Sequence, residues 1–370
     1  MAHAVIEKRR VLFLVDKSGF GGVQTIAYTL IERGIADDVE MFFFFMRNIN
    51  TRFGMQDIAR PDVFYSRAVG RYSFRPFIEL LELVRKKRVG ILHLNGNKSV
   101  IAGVLLKMLF FHRLKLVAHE HGGVFDYTRW YPLFLKLSQR WIDLFITVSN
   151  YRKRFLVSRS GIDPDKIRVI NNFVDPGRLK RGGANATAGR EKNCGEFVIG
   201  YVGGLSRIKG CDVLIRAIPL LKDQIGKLKV VIAGDGPART GLEELAGELS
   251  VGGMITFLGF VATPGEAYNM FDLMVIPSRS EEGPITLYES WAMGIPVVAS
   301  NAPVLDERIR DGETGIFFQS ENHAELAEKI LLAYRDSELV SRIREGGARE
   351  AEQLSVERHL ADLRDMYRSL

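Results

Sequence analysis

Short apolar runs alternate with helix-length amphipathic stretches along most of the chain, and this alternation restricts the fold more than any other feature of the sequence. Each run is four to six residues long and apolar at successive positions, so both faces of the strand that it predicts are buried. Strands of this kind belong to a parallel sheet that carries helices on both faces. The predicted strands are residues 11–15, 41–45, 91–94, 116–119, 144–148 and 167–170 in the first half, and 197–202, 229–233, 254–258, 273–276, 296–299 and 315–318 in the second half.

The segment at residues 176–195 separates the two sets of strands. It is rich in glycine, alanine and basic residues and poor in large apolar ones, which predicts a linker or an exposed loop. A chain of 370 residues is also about twice the usual size of a domain. We therefore predict two doubly wound α/β, Rossmann-like domains at residues 1–175 and 196–350. A C-terminal helix at residues 351–370 is expected to pack back on the first domain.

Charge is divided unevenly between the two halves, although the formal net charge is only +7. Residues 1–175 hold 28 Lys and Arg against 16 Asp and Glu, whereas residues 176–370 hold 23 against 28. This asymmetry predicts that the first half meets an anionic partner. A basic surface that is merely solvated is the alternative.

Cysteine content and targeting signals narrow the class of protein. Two cysteines cannot form a disulfide framework, and no CxxC metal pattern is present. No signal peptide opens the sequence, and no apolar run approaches the roughly 18 residues of a membrane span. We expect a cytoplasmic protein with no nucleic-acid partner.

A glycine-rich loop at residues 18–24 follows the first predicted strand. Gly21 and Gly22 let the backbone approach a ligand, and the next helix offers free N–H groups at its start. The loop does not have the GxGxxG spacing of a dinucleotide site. It predicts a site for a phosphate or a polar sugar, and a tight strand-to-helix turn is the alternative.

Two histidines flank a glutamate at the end of the strand predicted at residues 116–119. His119 and His121 lie two residues apart, and we expect their side chains to point to opposite faces. A metal site would then need ligands from elsewhere, so we predict none. One histidine is expected to hydrogen-bond the substrate while the other packs or caps, and a purely structural pair is the alternative.

A glycine turn with basic residues follows the first strand of the second domain. Residues 203–210 contain Gly204, Arg207 and Lys209, and a flexible turn with Arg and Lys can neutralise a diphosphate. Because surface turns also often contain Lys-Gly, this segment does not identify a function by itself.

The most specific motif lies at residues 278–298, after the strand predicted at 273–276. Glu281 is placed in the loop and Glu289 about two turns into the following helix. The helix start comprises Gly283, Pro284, Ile285 and Thr286. Two carboxylates around a helix N-terminus can hold sugar and ribose hydroxyls while the helix end holds phosphate. A capping carboxylate with a solvent-facing glutamate is the alternative.

Together these segments resemble the retaining nucleotide-sugar glycosyltransferases of family 4, also called group 1, which have the GT-B fold. The resemblance spans nearly the whole chain. Its most specific element is the pair Glu281 and Glu289, separated by seven residues and running into residues 292–298. It implies two Rossmann-like domains that face each other across a cleft. The implied enzyme moves a sugar from a nucleotide diphosphate to an acceptor hydroxyl with retention of configuration.

The resemblance implies roles for matching residues of the second domain. Glu281 would hold hydroxyls of the transferred sugar, Glu289 would hold the ribose, and Lys209 with backbone amides near residues 284–286 would hold the diphosphate. The implied donor-binding residues are Gly21, Gly22, Gly204, Arg207, Lys209, Gly234, Gly236, Gly259, Glu281, Gly283, Pro284, Ile285, Thr286 and Glu289. The implied catalytic residues are His119, His121, Arg207, Lys209 and Glu281.

In the first domain, the resemblance implies that Gly22 lets donor or acceptor come close and that a histidine contacts the donor sugar near the reacting carbon. His121 matches the His-Gly of the family slightly better than His119 does. One departure concerns charge: the family usually has an arginine at the position of Gly204, and Arg207 is the candidate replacement. Since no acidic D-x-D strand end is present to hold Mg²⁺, we expect a metal-independent enzyme. No cofactor is expected beyond a UDP- or GDP-linked sugar as co-substrate.

The class of acceptor is predicted from the composition of residues 105–116. This segment mixes large apolar residues with Lys107, Arg113 and Lys115. Aromatic and basic residues continue to Trp141. Helices of this composition can lie on anionic membranes, and a buried helix with charged ends is the alternative. We therefore expect a lipid-linked or other cell-envelope glycan as acceptor, and a peripheral position on the inner face of the membrane.

Other functions are compatible with the same fold. A sugar-nucleotide epimerase would consume donor without an acceptor, and a phosphorylase-like enzyme would need a lysine for pyridoxal phosphate and a longer chain. A non-catalytic protein that binds sugar nucleotides or lipids is a further alternative. The presence of Glu281, Glu289 and Lys209 argues against lost catalysis.

Overall fold

The computed structural model describes residues 8–19, 21–49, 56–68, 73–122, 130–180, 195–261 and 263–370, apart from the side chains of Arg178 and Lys180. The chain divides into two compact units. The first comprises Met1–Asn172 together with Glu357–Leu370, and the second comprises Phe173–Val356.

The first unit is built on a seven-stranded parallel sheet. Its strands are β1 (Arg9–Val15), β2 (Val39–Phe45), β3 (Val63–Tyr65), β4 (Ile91–Asn95), β5 (Lys115–Glu120), β6 (Leu144–Thr147) and β7 (Ile167–Val169). Its first helices are α1 (Gly22–Arg33), α2 (Arg75–Lys87), α3 (Asn97–Leu109), α4 (Trp130–Ser138) and α5 (Asn150–Ser160). The strands lie in the order β3-β2-β1-β4-β5-β6-β7. The order reverses between β1 and β4, and ligands of such sheets bind beyond the strand carboxyl ends at that point.

Strand β1 shows why runs that are apolar at successive positions form a central strand. Leu12 and Leu14 belong to a core cluster that includes Leu80 of α2. Phe13 faces the opposite side of the sheet, where its ring lies 5.8 Å from that of Phe43 and 4.6 Å from that of His93. Both faces are therefore buried, as the absence of apolar–polar alternation predicts.

The second unit has a six-stranded parallel sheet. Its strands are β8 (Phe197–Val202), β9 (Leu228–Ala233), β10 (Ile255–Gly259), β11 (Leu273–Ile276), β12 (Val297–Ser300) and β13 (Ile316–Phe318). Its helices are α6 (Pro176–Lys180), α7 (Cys211–Leu221), α8 (Arg239–Glu248), α9 (Pro264–Tyr268), α10 (Ile285–Ala292), α11 (Pro303–Arg308), α12 (His323–Arg335) and α13 (Ser337–Gln353). The order β10-β9-β8-β11-β12-β13 reverses between β8 and β11.

The last helix, α14 (Val356–Arg368), returns the chain to the first unit from Glu357 onward. Leu363, Met366 and Tyr367 are fully buried there. The predicted fold class, two doubly wound Rossmann-like domains, is confirmed.

Two details differ from the sequence-based expectation. The segment predicted as a linker or loop begins with the helix α6, whose Leu179 is buried against Gly265 of α9. A single turn with one large apolar residue has no periodicity to detect, so only tertiary contact reveals it. The rest of that segment, residues 181–194, lies outside the described residues. The short edge strand β3 was also not predicted, because three residues are too few to form a recognisable run.

Candidate functional site

The loops after β8, β9 and β11 converge at the carboxyl edge of the second sheet, and their glycines permit this. A Cβ atom on Gly210 would lie 1.9 Å from the carbonyl oxygen of Pro277, and one on Gly234 would lie 1.8 Å from that of Gly203. Gly236 is packed in the same way against the carbonyl oxygen of Leu205. The absence of a Cβ atom at these glycines therefore lets the three loops pack into one surface. Contact of Gly234 and Gly236 with a donor stays a prediction.

Glu281 is the centre of a buried polar cluster on this surface. Its Oε1 accepts a hydrogen bond from Lys209 Nζ at 2.6 Å and another from Ser278 Oγ at 2.7 Å. Its Oε2 has no hydrogen-bond partner among the described residues. The carboxylate borders a small cavity of about 40 Å³, which Tyr201 and Thr286 also line. Glu281 and Lys209 were expected to have separate roles, whereas the structure joins them as an ion pair.

Ser278 was not predicted as a site residue. Its carbonyl oxygen accepts a hydrogen bond from Ser300 Oγ at 2.5 Å, which ties the end of β12 to the loop that carries Glu281. Its own hydroxyl faces Glu281. A serine three residues before a loop glutamate is too common a pattern to be recognised from sequence alone.

Helix α10 begins beside the same cavity. Pro284 occupies its N-cap position, and Thr286 in its first turn lines the cavity. The amide N–H groups of Ile285 and Thr286 have no acceptor within the described part of the chain, as expected in a first helical turn. Gly283 precedes the cap. This end of α10 can therefore receive an anion.

Glu289 lies inside α10 and is buried. Its Oε2 accepts a hydrogen bond from the hydroxyl of Tyr268, in α9, at 2.9 Å. Behind it, Trp291 donates its indole N–H to the carbonyl of Thr314 at 2.8 Å and packs on Gly347 of α13. The helix is thus held on both sides, and Glu289 is not the solvent-facing glutamate of the alternative interpretation.

Arg207 is not among the residues that line the cavity beside Glu281. It is exposed and lines a separate depression with Asp212, Arg216 and residues of α8. Gly204 is also exposed, and a Cβ atom there would have no neighbour within 4 Å. Lys209 is the basic residue of this turn that lines the cavity, and the replacement of the family arginine by Arg207 stays a prediction.

Arg279 is a second residue that was not predicted. It binds both carboxylate oxygens of Asp212 at 2.8 Å, the carbonyl oxygen of Arg207 at 2.5 Å and Glu321 at 2.6 Å. Bidentate pairing of this kind fixes geometry as well as charge. Arg279 therefore clamps the loop after β11 onto the loop after β8.

In the first unit, His119 near the end of β5 and His121 just after it project to the same side. Their rings stack with centroids 3.8 Å apart, whereas Glu120, between them, is buried on the other side and accepts a hydrogen bond from Tyr131 at 2.9 Å. The expectation of opposite faces was wrong, because side chains alternate along a strand and residues two apart share a face. Burial raises the pKa of Glu120 to about 7.

The two histidines differ in exposure. His119 is only 1% exposed, and its Nδ1 lies 3.0 Å from Nε2 of His93, whose Nδ1 lies 2.6 Å from the hydroxyl of Tyr367 in α14. His121 is partly exposed, and its Nε2 lies 2.8 Å from Oδ1 of Asn95. Desolvation holds the pKa of both histidines well below the usual value. Of the two, His121 is therefore the one open to a ligand.

The glycine loop adjoins this edge. Gly22 is the first residue of α1 and Gly21 is its N-cap, with φ of 146° and a Cβ position 2.6 Å from the side-chain oxygen of Gln24. Asp16, which no sequence motif singled out, accepts the amide N–H groups of Ser99 at 2.8 Å and Lys98 at 3.1 Å. It caps α3 at the point where the strand order reverses.

The basic segment at residues 105–116 divides into paired and exposed residues. Lys107 is only 13% exposed and lies 2.5 Å from Asp143, which also pairs with Lys115 at 3.3 Å. Lys107 is therefore unavailable to an anionic surface, contrary to expectation. Arg113 is exposed.

Metal-binding clusters and membrane-spanning helices are both absent from the part of the chain that the structure describes. No group of three or more His, Cys, Asp or Glu side chains within it is arranged to hold a metal ion. No helix in the described ranges has the length and apolar character needed to cross a membrane.

Comparison with known proteins identifies both halves of the chain. Residues 186–350 match the family model of glycosyl transferases group 1, and residues 20–178 match that of glycosyltransferase family 4. A D-inositol 3-phosphate glycosyltransferase from Rhodococcus opacus is 32% identical over 227 residues, which cover 58% of this chain. The match spans about half of the length of that relative, 50%.

Solved structures share the fold over nearly the whole chain. The Anabaena protein Alr3699/HepE, in complex with UDP and glucose, superposes with a TM-score of 0.78 at 19% identity, covering 97% of this chain and 99% of that one. Sucrose-phosphate synthase from Thermosynechococcus elongatus gives a TM-score of 0.79 at 20% identity, covering 98% and 99%. With two Rossmann-like units, the Glu281 and Glu289 motif in place, and a glycosyltransferase family model matching each half, the chain belongs to the group 1, family 4 glycosyltransferases of the GT-B fold.

Proposed function

We propose that this chain is a retaining glycosyltransferase that moves a sugar from a UDP- or GDP-linked donor to a hydroxyl of an acceptor. The observation that carries the proposal is the divided environment of Glu281. One carboxylate oxygen is held by Lys209 and Ser278, while the other is without a partner among the described residues, beside a cavity. A carboxylate fixed in this way can accept sugar hydroxyls without first being ordered.

The positive groups around the cavity suit the leaving group. Transfer breaks the bond between the anomeric carbon and the β-phosphate oxygen, and negative charge grows on that phosphate. Lys209 and the first amides of α10 both lie at the cavity. Charge that is in place before the reaction stabilises the transition state more than the ground state, in which less charge has developed.

Metal independence and retention are parts of the same proposal. Because Lys209 and the start of α10 can neutralise the diphosphate, we expect turnover to continue in excess EDTA. Attack of the acceptor on the face that the leaving group departs from retains the anomeric configuration and needs no protein nucleophile. Loss of activity on chelation, with recovery on adding Mg²⁺ or Mn²⁺, would contradict the metal-free mechanism.

The test is a donor screen followed by product analysis. UDP-glucose is the first probe, since the Anabaena neighbour binds UDP and glucose, and GDP-mannose is the second. We expect one donor to raise the melting temperature and to release nucleotide only when an acceptor is present. Release without an acceptor would favour an epimerase or hydrolase, and binding without any release would favour a non-catalytic protein. The anomeric coupling in the NMR spectrum of the product decides retention.

The acceptor surface is proposed on α3 and α4 of the first unit, with an anionic bilayer as its occupant. Leu109, Leu133 and Leu137 are each more than half exposed. Arg113 just after α3, Lys136 in α4 and Arg140 just after α4 are exposed basic residues near these leucines. Apolar side chains with basic neighbours are the combination that binds acidic lipid headgroups and enters the interface. A lipid-linked acceptor would be met there.

Vesicle co-sedimentation tests this surface. Replacing the three basic residues with Ser should weaken binding to acidic vesicles by roughly 3 kcal/mol at low salt, at about 1 kcal/mol for each residue. Replacing the three leucines with Ser should weaken it at all salt concentrations, whereas Leu332→Ser, at an exposed leucine of α12, should not. Equal binding to neutral and acidic vesicles would contradict the membrane proposal and would indicate that the basic surface binds a soluble anionic acceptor. A polyol phosphate is the first to try, since the Rhodococcus relative is named for D-inositol 3-phosphate.

A further inference from the structure

We infer that Asn95 is a positioning residue that determines which ring nitrogen of His121 is available to a ligand. As a consequence, this edge of the first sheet takes a hydroxyl of an uncharged sugar and disfavours a carboxylate. The identity of the ligand as a donor sugar rests on the proposed function. The orientation of the ring rests on the first unit alone.

The orientation of Asn95 is fixed by its second hydrogen bond. Its Nδ2 donates to the carbonyl oxygen of Leu14 at 2.9 Å, in the neighbouring strand β1. Its Oδ1 is therefore the atom that lies 2.8 Å from Nε2 of His121. An amide oxygen can only accept, so Nε2 of His121 must carry the hydrogen.

The ring of His121 is neutral. Desolvation lowers its pKa, and His359 of α14 acts in the same direction. The His119 ring stacked on it at 3.8 Å is itself neutral, because burial lowers its pKa, and it offers no negative charge to stabilise an imidazolium. Because a neutral imidazole carries one hydrogen, Nδ1 of His121 is a bare acceptor, and it has no partner within the described residues.

His119 is held in the same neutral state from the other side. The hydroxyl of Tyr367 lies 2.6 Å from Nδ1 of His93, and Nε2 of His93 lies 3.0 Å from Nδ1 of His119. Each of these contacts needs one donor and one acceptor, so both histidine rings can be neutral whichever nitrogens hold the hydrogens. No group of this chain of hydrogen bonds supplies a proton to His121.

The carboxyl groups of neighbouring loops are engaged elsewhere. Asp16 accepts the amides of Ser99 and Lys98, and Glu120 accepts the hydroxyl of Tyr131. Among the described residues, the titratable groups that face His121 are therefore the histidines 93, 119 and 359, none of which stabilises an imidazolium. Nδ1 without a hydrogen can accept a hydrogen bond from a sugar hydroxyl. A carboxylate oxygen is also only an acceptor, so the lone pairs of the two atoms repel each other.

Nitrogen NMR of the free protein tests the orientation without reference to activity. Long-range proton–nitrogen spectra of histidine-labelled protein distinguish the two neutral tautomers from the imidazolium, and His121→Gln assigns the signal. We expect the neutral form with hydrogen on Nε2 throughout pH 8 to 5.5. Hydrogen on Nδ1, or an imidazolium at pH 7, would overturn the inference even if glycosyl transfer is demonstrated.

Asn95→Asp tests the consequence. A carboxylate 2.8 Å from Nε2 favours the imidazolium, so the pKa of His121 should rise into the neutral range. In that variant, turnover should fall at least tenfold between pH 8 and 6, and affinity for UDP-glucuronate should rise relative to UDP-glucose. Asn97→Asp, which adds the same charge on the first turn of α3, should follow the wild type. An Asn95→Asp profile superimposable on the wild type would overturn the inference. If no donor is turned over at all, the proposed function fails while the NMR result still decides the orientation.

Discussion

The carboxyl edges of the two sheets differ in the charge of their polar side chains. In the second unit the polar groups are charged and paired, as in Lys209 with Glu281 and Arg279 with Asp212. In the first unit the equivalent edge is lined by neutral histidines whose pKa values burial lowers. If the proposed function is correct, the second edge would hold the diphosphate and the first would hold hydroxyl groups.

Under the proposed function, this difference would divide the recognition of a nucleotide sugar between the two units. Charge must be met by charge or by oriented amides, and both are present beside α10. Hydroxyls need acceptors and donors of fixed direction, which neutral rings supply only when their tautomers are set by neighbours. Substitutions in the two units should therefore have different effects, which can be measured as changes in stability, turnover, pH dependence or donor affinity.

The largest effect is expected at Gly210, which has φ of 65° and would place a Cβ atom 1.9 Å from the carbonyl oxygen of Pro277. Gly210→Ala should lower the free energy of unfolding of the second unit by about 3 kcal/mol, from left-handed strain together with overpacking. Urea unfolding measures this. Gly204→Ala in the same turn meets nothing within 4 Å and should change stability by less than about 0.5 kcal/mol. Equal effects of the two substitutions would contradict the convergence of the loops.

The next effect concerns turnover. Glu281→Ala removes the acceptor for a sugar hydroxyl, and loss of a charge-assisted hydrogen bond costs roughly 1.5–3 kcal/mol, or about 10- to 150-fold in kcat/KM. Glu281→Gln keeps one neutral acceptor oxygen and should lose less. Circular dichroism and thermal melting confirm that both variants are folded. A folded Glu281→Ala protein with wild-type turnover would show that Glu281 has no role in the reaction.

Acid should destabilise the first unit through its buried histidines. Burial lowers the pKa of His359 to about 4. Below the ordinary value of 6.5 the unfolded chain therefore binds a proton that the folded chain does not, and stability falls as pH falls. Between pH 6.5 and 5 this amounts to about 2 kcal/mol for His359. His359→Gln, whose amide can still donate to the carbonyl of Asn171, should remove that part of the slope.

Glu120 acts against this trend, because its raised pKa means that the folded chain gains a proton as pH falls from about 7 to 4.5. Glu120→Gln should therefore steepen the loss of stability in acid. Fluorescence separates the units, since Trp130 and Trp141 lie in the first and Trp291 in the second. Identical pH dependence in wild type and His359→Gln would refute the histidine contribution.

The sequence predicted the parts of this molecule that depend on local order. Runs of apolar residues identified both sheets, and strand-to-helix turns placed Gly21, Lys209 and Glu281 at strand carboxyl ends. What it could not predict were contacts made across the sheets. Ser278 and Arg279 act through partners far away in the sequence, at Ser300 and at residues 207 and 212.

The histidines illustrate the same limit. Their chemical type was visible, but their hydrogen-bond partners on β4, Asn95 for His121 and His93 for His119, are distant in sequence. The faces to which they point were predicted wrongly, because the two-residue period of a strand was misapplied. The role of Lys107 likewise depended on Asp143, which no local pattern connects with it.

The smallest effect is expected at Tyr268, whose hydroxyl holds Glu289 in place at 2.9 Å. If Glu289 receives the ribose of the donor, Tyr268→Phe leaves the carboxylate in the site but less well oriented. Loss of one such hydrogen bond is worth about 1 kcal/mol, or about fivefold. Because ribose is bound equally in the ground and transition states, the loss should be seen as a higher KM for the donor with kcat unchanged. Tyr334→Phe, at an exposed tyrosine of α12, is the matched control and should alter neither constant. A fall in kcat with unchanged KM would place Glu289 at the reacting centre and shift part of the chemistry from Glu281 to α10.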